Sequence, residues 1–529
     1  MEFLRNIPGT SWLLLSGIAL FFVIAFYFIP FAPDDAYIGY RFAEYIAAGN
    51  GITFNPSEKP VEGYSNFLWI LFCSVLVKMG LDLGIWAPYL GLLFGLGSLF
   101  IFWSILKLRA ASIIGMGFSF LLFSSSAPII LYSISGMETS LFSFLLLAIL
   151  WCTHYVINSS RGIYVLILSV LSILLALCRM EGVLVFPIIL VLIIYFRHTY
   201  SDNLNLLNVR ILFIGIIIFI FGILFYNLWR LSYFGTLIPT PMISKGPANG
   251  SVVNAWASNL RYLFVKQNHY FSPFGYYYGA LVLLSCAALI STPKLSSRLL
   301  ELVSIITAVI MILVYMNFVD WMPAMRYFAP LSGLLILPIH LLFGNFVKTP
   351  SGRYEYYHFF KYIIIGVAIF LINFSSIAQL RIDSNRNEES TQKSQVALGK
   401  WFNKNFSQNV LIAVSDIGAI SYYSKLKVID INPHSLTDYN IATNGWSDDY
   451  FFHMKPDVAV FVSFSITEPS FYGQYIDLVK NPIFVSEYSL IGITRYDWYM
   501  DRSYWVYVHK GIRLTEQQIK SLPKGIANI

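Results

Sequence analysis

Long apolar runs recur through most of this 529-residue chain, and they leave it few ways to fold. A helix needs about 20 mostly apolar residues to cross a bilayer, and spanning segments must satisfy their own backbone hydrogen bonds. About eleven runs fit this description: Trp12–Pro30, Trp86–Leu106, Ala111–Ile129, Ser140–Ile157, Ile163–Leu177, Val183–Phe196, Ile211–Trp229, Tyr277–Ile290, Leu299–Asn317, Tyr327–Phe346 and Tyr362–Ala378. Only 12% of the residues are charged, whereas soluble chains have about 25%. We therefore predict an α-helical polytopic membrane domain over residues 1–380.

The basic residues between these runs predict the orientation of the chain. They fall on alternate connections, which the positive-inside rule places in the cytoplasm: Lys107–Arg109, Arg161, Arg197–Arg210, Lys294–Arg298 and Lys348–Lys361. The other connections then face outward: Phe31–Asn66, Ser126–Glu138, Cys178–Gly182, Leu231–Tyr276, Phe318–Arg326 and everything after Leu380. The formal net charge of +7 thus reports topology, and we expect a lipid bilayer but no nucleic acid as partner.

Two apolar segments need separate treatment. The segment Trp12–Phe31 lacks a small-residue cleavage site and is longer than the roughly 7–15 residues of a signal-peptide core, so we predict a retained signal anchor. The segment Phe67–Val77 breaks the alternation of the loops if it spans, and we predict an interfacial or re-entrant helix on the outer face. A complete hairpin there would invert every later loop. The chain is expected in the cytoplasmic (inner) membrane, with its C-terminal part outside the cytoplasm.

From residue 381 onward the chain is polar and mixed in character. Leu398–Phe406 has a helical pattern, while Val410–Val414, Lys427–Ile431 and Val458–Phe464 are rich in β-branched residues and bounded by Asp, Gly or Pro. This alternation is typical of a small α/β domain. We predict a soluble extracytoplasmic α/β domain over residues 381–529.

The first outward loop, residues 31–66, holds the densest group of polar residues. Asp34 and Asp35 follow the first helix directly, so we expect them at the membrane surface, where a lipid-linked phosphate would also lie. Two acids after a proline could instead cap a short helix, because Asp is a favoured N-cap residue. Capping needs only one of them, however, and the loop carries further candidate substrate-binding residues: Arg41, Asn55, Glu62, Tyr64 and Asn66.

Other polar residues lie beside apolar runs on the same predicted face: Glu138, Arg179, Glu181, Lys245, Asp320, Trp321 and Arg326. Ionisable groups in such places are costly, and they usually line a substrate path or pair with one another. Arg179 and Glu181 could form a purely structural pair. The convergence of several outward loops favours a substrate-binding role for the set.

These segments, in this order, resemble a known family. The first-loop block DDAYIGYRFAEYIAAGNGITFNPSEKPVEGYSNFLW is followed by SGMET, CRMEG, WRLSYFGTLIPTPMISK, DWMPAMRYFAPL and SDIGAISYYSKLKVIDINPHSLTD. The set is similar to the mycobacterial terminal arabinofuranosyltransferases and their bacterial relatives, which are GT-C integral-membrane glycosyltransferases. The resemblance covers most of the chain.

The resemblance implies a GT-C fold and a monosaccharide donor linked to polyprenyl phosphate. It also implies transfer to a cell-envelope glycan or glycolipid on the outer face, with inversion at the anomeric carbon. The family's catalytic acids carry over only onto Asp34 and Asp35. Met137 stands where relatives often have Leu, and Met180 where they often have Pro. The sugar stays open between arabinofuranose, mannose and an aminosugar, and a lipid or glycan transporter is the alternative from another class.

The chemistry of such a transfer suggests roles for these residues. One of Asp34 and Asp35 is the candidate base for the acceptor hydroxyl, since general-base catalysis contributes roughly 10²–10⁴-fold. Arg41, Arg179, Lys245 and Arg326 are candidates for the departing phosphate, which Arg can contact in a bidentate manner. A divalent cation is an open alternative, and no residue is assigned to it because two acids do not make a complete site.

Two features of the terminal part have ordinary structural explanations. The segment Asp416–Gly418 follows a predicted strand without a Gly-rich phosphate fingerprint, so a plain turn is expected. The aromatic residues near the C-terminus, which include Tyr496, Trp498, Tyr499, Tyr504, Trp505 and Tyr507, could stack on sugar rings, but clustered aromatics more often form a core.

Overall fold

The structure is a computed structural model in which the chain forms two compact units. It describes residues 9–29, 31–56, 58–109, 112–159, 161–199, 209–244, 252–264, 274–291, 298–318, 322, 324–343, 356–469, 472–495 and 502–523. Unit 1 takes the described residues of Met1–Ile29, Pro88–Asn227 and Gly250–Asp383. Unit 2 takes those of Pro30–Ala87, Leu228–Asn249 and Ser384–Ile529. The predicted first loop thus packs in the same unit as the C-terminal part.

Most of unit 1 is helical. Its helices are Gly9–Phe28, Leu83–Leu108, Ile113–Ser124, Ala127–Ser133, Thr139–Asn158, Ile163–Cys178, Val185–Thr199, Val209–Phe234, Val252–Phe264, Phe274–Ser291, Leu299–Tyr315, Ser332–Ile336 and Tyr356–Ser390, some of which extend beyond the unit's limits. Short 3₁₀ segments lie at Met180–Leu184, Ala329–Leu331 and Leu337–Phe343. Apart from its terminal sheet, the described chain is therefore built mainly from helices.

The lengths of these helices agree with a multi-pass membrane protein. Among the described residues, six helices are long and apolar enough to cross a membrane, or seven if one bent pair counts as a single span. That pair, Ile113–Ser124 and Ala127–Ser133, is bent by 50°. Pro128 lies in the first turn of the second helix, where proline is tolerated because the N–H that it lacks would have no partner within the helix. Five further apolar helices have only 10–17 residues.

Small residues bring helices of unit 1 into close contact. A side chain at Gly91 would place its Cβ 2.7 Å from the backbone oxygen of Ser133, and one at Gly95 would lie 2.4 Å from the Ser133 hydroxyl. Close approach through small residues is how helices associate where no hydrophobic drive exists between them. These two glycines let the helix Leu83–Leu108 pack directly on Ala127–Ser133.

Unit 2 begins with two helices from the predicted first loop and the segment after it. The helix Asp34–Ala47 packs against Phe67–Lys78. At 1.5 Å per residue the second helix, with 12 residues, is about 18 Å long, well short of the roughly 30 Å of a bilayer core. The helix predicted at Phe67–Val77 is therefore present and too short to span, and its interfacial position stays a prediction.

The terminal part of unit 2 contains a five-stranded sheet. Its strands are β1 Leu411–Val414, β2 Lys427–Asp430, β3 Val458–Ser463, β4 Tyr488–Arg495 and β5 Ser503–His509, in the order β2-β1-β3-β5-β4. β1 pairs in parallel with β2 and β3, while β5 is antiparallel to β3 and β4. Besides Asp34–Ala47 and Phe67–Lys78, the helices that lie wholly in unit 2 are Thr240–Ser244, the π-helix Thr391–Val396, Ala397–Asn405, Ala419–Ser424, Tyr439–Asn444, Asp448–Met454, Gly473–Lys480, Pro482–Glu487 and Glu516–Lys520.

The predicted fold class is confirmed, with a helical domain of apolar helices and a small terminal sheet domain. The helix predicted at Leu398–Phe406 and the first three strands are present within a residue or two. β4 and β5 were not predicted. The limits at residues 380 and 381, which divide membrane from extramembrane sequence, and the side on which the terminal part lies stay predictions.

Candidate functional site

Asp34 is the first residue of the helix Asp34–Ala47, and its carboxylate leaves that helix to contact the terminal part of the chain. The backbone N–H of Ala419 donates to Asp34 Oδ1 at 2.7 Å, across 385 positions of sequence. Gly418 makes this approach possible, because a Cβ there would lie 2.2 Å from the backbone oxygen of Asp34 and 2.4 Å from its Oδ2. The carboxylate is thus bound by the turn after β1 instead of capping its own helix.

The same turn brings a second acid toward Asp34. Asp416 Oδ2 accepts hydrogen bonds from the Tyr504 hydroxyl at 2.9 Å and from Gln395 Nε2 at 3.4 Å. Arg502 Nη1 lies 3.3 Å from the same oxygen. Burial raises the pKa of Asp34 to about 7, with the negative charge of Asp416 as the next cause. The Ala419 amide opposes this rise, Asp35 adds to it, and Arg502 opposes it.

Arg41 and Asn55 join the first loop to the terminal sheet. The buried guanidinium of Arg41 donates to the backbone oxygens of Phe54 and Leu426, each at 2.7 Å, and to that of Ser421. The Asn55 amide donates to the Val428 oxygen at 2.7 Å and accepts from the Val428 N–H at 2.9 Å. Asn55 Oδ1 also accepts from Arg41 at 3.1 Å. The Asn55 side chain therefore occupies the outer edge of β2 at Val428, and Arg41 binds the backbone oxygen of Leu426 just before that strand.

The remaining predicted residues of the first loop lie in its packed interior or at a helix start. Glu62 is buried and forms an ion pair with Arg230, whose Nε and Nη2 approach its Oε2 to 2.9 and 2.8 Å. The ring of Tyr64 packs on Phe42, with centroids 5.0 Å apart. Asn66 precedes the helix Phe67–Lys78, and its backbone oxygen accepts hydrogen bonds from the amides of Trp69 and Ile70.

Unit 1 contains its own polar cluster, built from residues that the sequence placed on separate loops. Arg179 Nε lies 2.8 Å from Glu181 Oε1 and 4.0 Å from Glu138 Oε1. Arg179 and Glu138 are both buried. The Nη1 atom of Arg179 is buried and has no hydrogen-bond partner among the described residues. A guanidinium atom of this kind can donate to an anionic ligand.

Aromatic rings enclose this cluster. The Arg179 guanidinium lies 4.5 Å from the ring centre of Tyr327, and the Arg326 guanidinium lies 5.1 Å from the same ring. Tyr315 stacks on Tyr327 with centroids 5.3 Å apart. Ring faces attract cations at such distances. Of the predicted residues, the structure therefore brings Glu138, Arg179, Glu181 and Arg326 together in unit 1.

Three predicted residues, Lys245, Asp320 and Trp321, lie outside the described residues. Within the described part of the chain, no group of three or more His, Cys, Asp or Glu side chains is arranged to hold a metal ion. Sequence reasoning missed Arg230, Asp416, Arg502 and Tyr504 as members of these clusters. Only Asp416 carried a local signal, the acidic turn after a β-like run, and nothing local connected that turn with Asp34.

This arrangement of apolar helices with a terminal sheet domain matches the GT-C fold of solved transferases. ArnT from Cupriavidus metallidurans, solved bound to undecaprenyl phosphate, shares this fold with a TM-score of 0.58 and 12% identity, over 94% of this chain and 98% of ArnT. The Archaeoglobus fulgidus oligosaccharyltransferase in complex with Zn and sulfate gives a TM-score of 0.52 and 13% identity, over 92% of this chain and 72% of that chain. The same transferase, tethered to an acceptor peptide containing the NVT sequon, gives 0.53 and 10%, over 92% and 73%.

Sequence comparisons add little to this likeness. Residues 379–508 match a family model described as a domain of unknown function (DUF8728), which covers less than half of the chain. No curated protein matches the sequence significantly. The predicted GT-C class is thus confirmed at the level of the fold, and the arabinofuranosyltransferase resemblance stays a prediction.

Proposed function

We propose that the protein is a GT-C glycosyltransferase that transfers a monosaccharide from a polyprenyl-phosphate donor to a cell-envelope glycan or glycolipid. The reaction takes place on the outer face of the cytoplasmic membrane with inversion, and arabinofuranose is the first candidate sugar. The observation that carries the proposal is the Asp34 carboxylate, bound by the Ala419 amide and with its pKa raised to about 7 by burial and by Asp416. The likeness to ArnT, which binds undecaprenyl phosphate, supports the donor class.

The chemistry assigned to Asp34 is general-base catalysis. The acceptor hydroxyl oxygen forms a bond to the anomeric carbon, the bond from that carbon to the phosphate oxygen breaks, and its electron pair leaves with the phosphate. The hydroxyl proton passes to the Asp34 carboxylate. A base works best when its pKa lies near the working pH, which favours Asp34 for this role. Asp35 adds negative charge beside it.

Within unit 1 we propose that the arginine cluster binds an anionic group such as a phosphate. Arg179 offers the partnerless Nη1 atom, and Arg326 stacks on the same Tyr327 ring. Arginine suits phosphate because its planar fork can donate two hydrogen bonds at once. Lys245 stays a candidate from sequence alone. A divalent cation is an alternative way to neutralise the leaving phosphate, as the oligosaccharyltransferase complex with Zn suggests, and no residue here is assigned to it.

Several residues predicted to bind substrate are better assigned to the framework. The Arg41 nitrogens donate to backbone oxygens and to Asn55, and Glu62 pairs with Arg230. These side chains hold the first loop in unit 2, and we propose that they act on catalysis only by positioning that loop.

The test is transfer by membranes that contain the full-length protein, supplied with a panel of polyprenyl-phosphate sugars and analysed by mass spectrometry. We expect a glycosylated product with one sugar of the panel, and a loss of about 10²–10⁴-fold in Asp34→Asn. Asp477→Asn, an exposed acid in the same unit, is the matched control and should keep wild-type activity.

Two results would contradict the proposal. Wild-type activity in both Asp34→Asn and Asp35→Asn, with normal insertion, would remove the acids from the mechanism. Movement of the lipid or glycan across reconstituted liposomes without any covalent change would favour a transporter.

A further inference from the structure

The turn that binds Asp34 lies at one particular edge of the terminal sheet. Asp416 follows the carboxyl end of β1, and Arg502 and Tyr504 lie at the start of β5, where Ser503 pairs with Ser463 at the end of β3. The chain passes from β1 to β2 on one side and later returns to β3 on the other. In open α/β sheets a crevice forms at such a switch point, and ligands bind there.

In this protein the group at that edge is a side chain of the first loop. Asp34 Oδ1 accepts from the Ala419 amide, and Gly418 leaves room for the carboxylate. The sheet edge that receives a separate ligand in other α/β domains here receives an acid of the chain itself. The terminal part therefore contributes directly to the surroundings of the proposed base.

Asp416 is the acidic residue that this sheet edge contributes, and three groups hold its carboxylate. The Tyr504 hydroxyl donates to Oδ2 at 2.9 Å, Arg502 Nη1 lies 3.3 Å away, and Gln395 donates from a third segment. Tyr504 is itself buried. These contacts tie the turn that begins at Asp416, and with it the Ala419 amide that binds Asp34, to β5 and to the helix segment around Gln395.

We propose that Asp416 is a positioning residue of the active site. With Tyr504 and Arg502 it holds the turn whose Ala419 amide binds the Asp34 carboxylate, and it thereby sets the place and the charge of that carboxylate. This inference rests on the proposed function, since it assigns Asp34 as the base. The charged and titratable groups that act on Asp34 or respond to it are Asp35 and Tyr37 on its own helix, and Asp416, Arg502 and Tyr504 from the terminal part.

Because an acid and a cation both act on Asp34, removing one or the other should shift its pKa in opposite directions. Asp416 raises the pKa of Asp34, whereas Arg502 lowers it. Removing the acid in Asp416→Asn should let Asp34 lose its proton at lower pH. Removing the cation in Arg502→Gln should make Asp34 keep its proton to higher pH. A residue that only supported the fold would lower the rate without moving the pH profile.

The measurement is the pH dependence of kcat/KM for sugar transfer by the full-length protein, which reports the pKa of the free enzyme's base. We expect the acid limb to move to lower pH in Asp416→Asn and to higher pH in Arg502→Gln. Asp416→Glu keeps the charge and should restore the limb. Each variant should also lower the plateau rate, by up to about a hundredfold. Asp477→Asn should change neither quantity.

The outcomes separate this inference from the proposed function. No transfer by the wild-type protein with any donor would overturn the proposed function itself. Transfer that depends on Asp34, with the limb unmoved in Asp416→Asn and in Arg502→Gln, would overturn only the role of Asp416. If Asp416→Asn fails to insert, the Arg502→Gln arm decides alone, because its predicted shift is independent of that variant.

Discussion

The two polar clusters differ in how their charges are combined: the cluster of unit 1 pairs a cation with acids, whereas that of unit 2 brings acids together. In unit 1, Arg179 lies between Glu138 and Glu181, and aromatic rings cover it. In unit 2, Asp34 faces the acids Asp35 and Asp416, with Arg502 as the cation that acts on it. Paired opposite charges stabilise one another once buried, whereas neighbouring carboxylates raise the pKa of one of them. Such a raised pKa is typical of groups that move protons.

The largest effect should come from removing the cation of the cluster in unit 1, in which Arg179 lies between two acids. Arg179→Met leaves Glu138 buried without this cation, and removing one partner of a buried ion pair typically costs about 3–5 kcal/mol. We expect a clearly lower Tm in detergent and weaker donor binding. Arg161→Met, which removes an exposed arginine of the same unit, is the control. An unchanged Tm in Arg179→Met would show that the cluster is not structural.

A smaller effect, seen as a lower transfer rate, should follow from displacing Asp34. Gly418→Ala forces a methyl group against the backbone and carboxylate of Asp34, and a misplacement of about 1 Å can cost roughly 10²-fold in rate. The control is Gly473→Ala in the same unit, where a Cβ would meet nothing within 4 Å. Equal transfer rates for the two variants would mean that this contact does not position the base.

A third effect concerns the pH dependence of stability. The pKa of Asp34 is about 7 in the folded chain, above the ordinary Asp value of 3.8 that applies in the unfolded chain. Between these two pH values the folded state therefore holds a proton that the unfolded state has released. The contribution of Asp34 to stability therefore falls as pH rises from about 4 to about 7. We expect Asp34→Asn to be less sensitive to pH across this window, measured as Tm against pH. A wild-type slope in that variant would contradict the raised pKa.

Local patterns predicted those parts of the fold that local forces determine. Apolar runs mark helices, and β1, β2 and β3 are bounded by turn residues. The apolar pattern predicts one run over Ala111–Ile129, whereas the structure has two helices there, with the break between Ser124 and Ala127. β5 was seen only as an aromatic stretch, because its residues Tyr504 and Trp505 are buried from both faces of the strand and show no alternation.

The sequence predicted the acids of the first loop but not the residues of the terminal part that contact them. The acidic pair stood out because two charges follow an apolar run, and the motifs around Glu138 and Arg179 stood out in the same way. The partners of Asp34 did not, because Ala419 is 385 positions away in sequence and an amide leaves no signature in a side-chain pattern. Arg41 looked like a phosphate ligand for a similar reason, since its backbone acceptors are invisible in sequence.

The edge of β2 has a practical consequence for dissecting the molecule. Asn55 and Arg41 cover backbone groups of Val428, Ser421 and Leu426, and exposed strand edges readily pair with other chains. A fragment that starts at residue 381 would lose both covers and present a bare edge prone to self-association. In chimaeras that exchange the terminal part between relatives, the first loop should therefore come from the same parent protein as the terminal part.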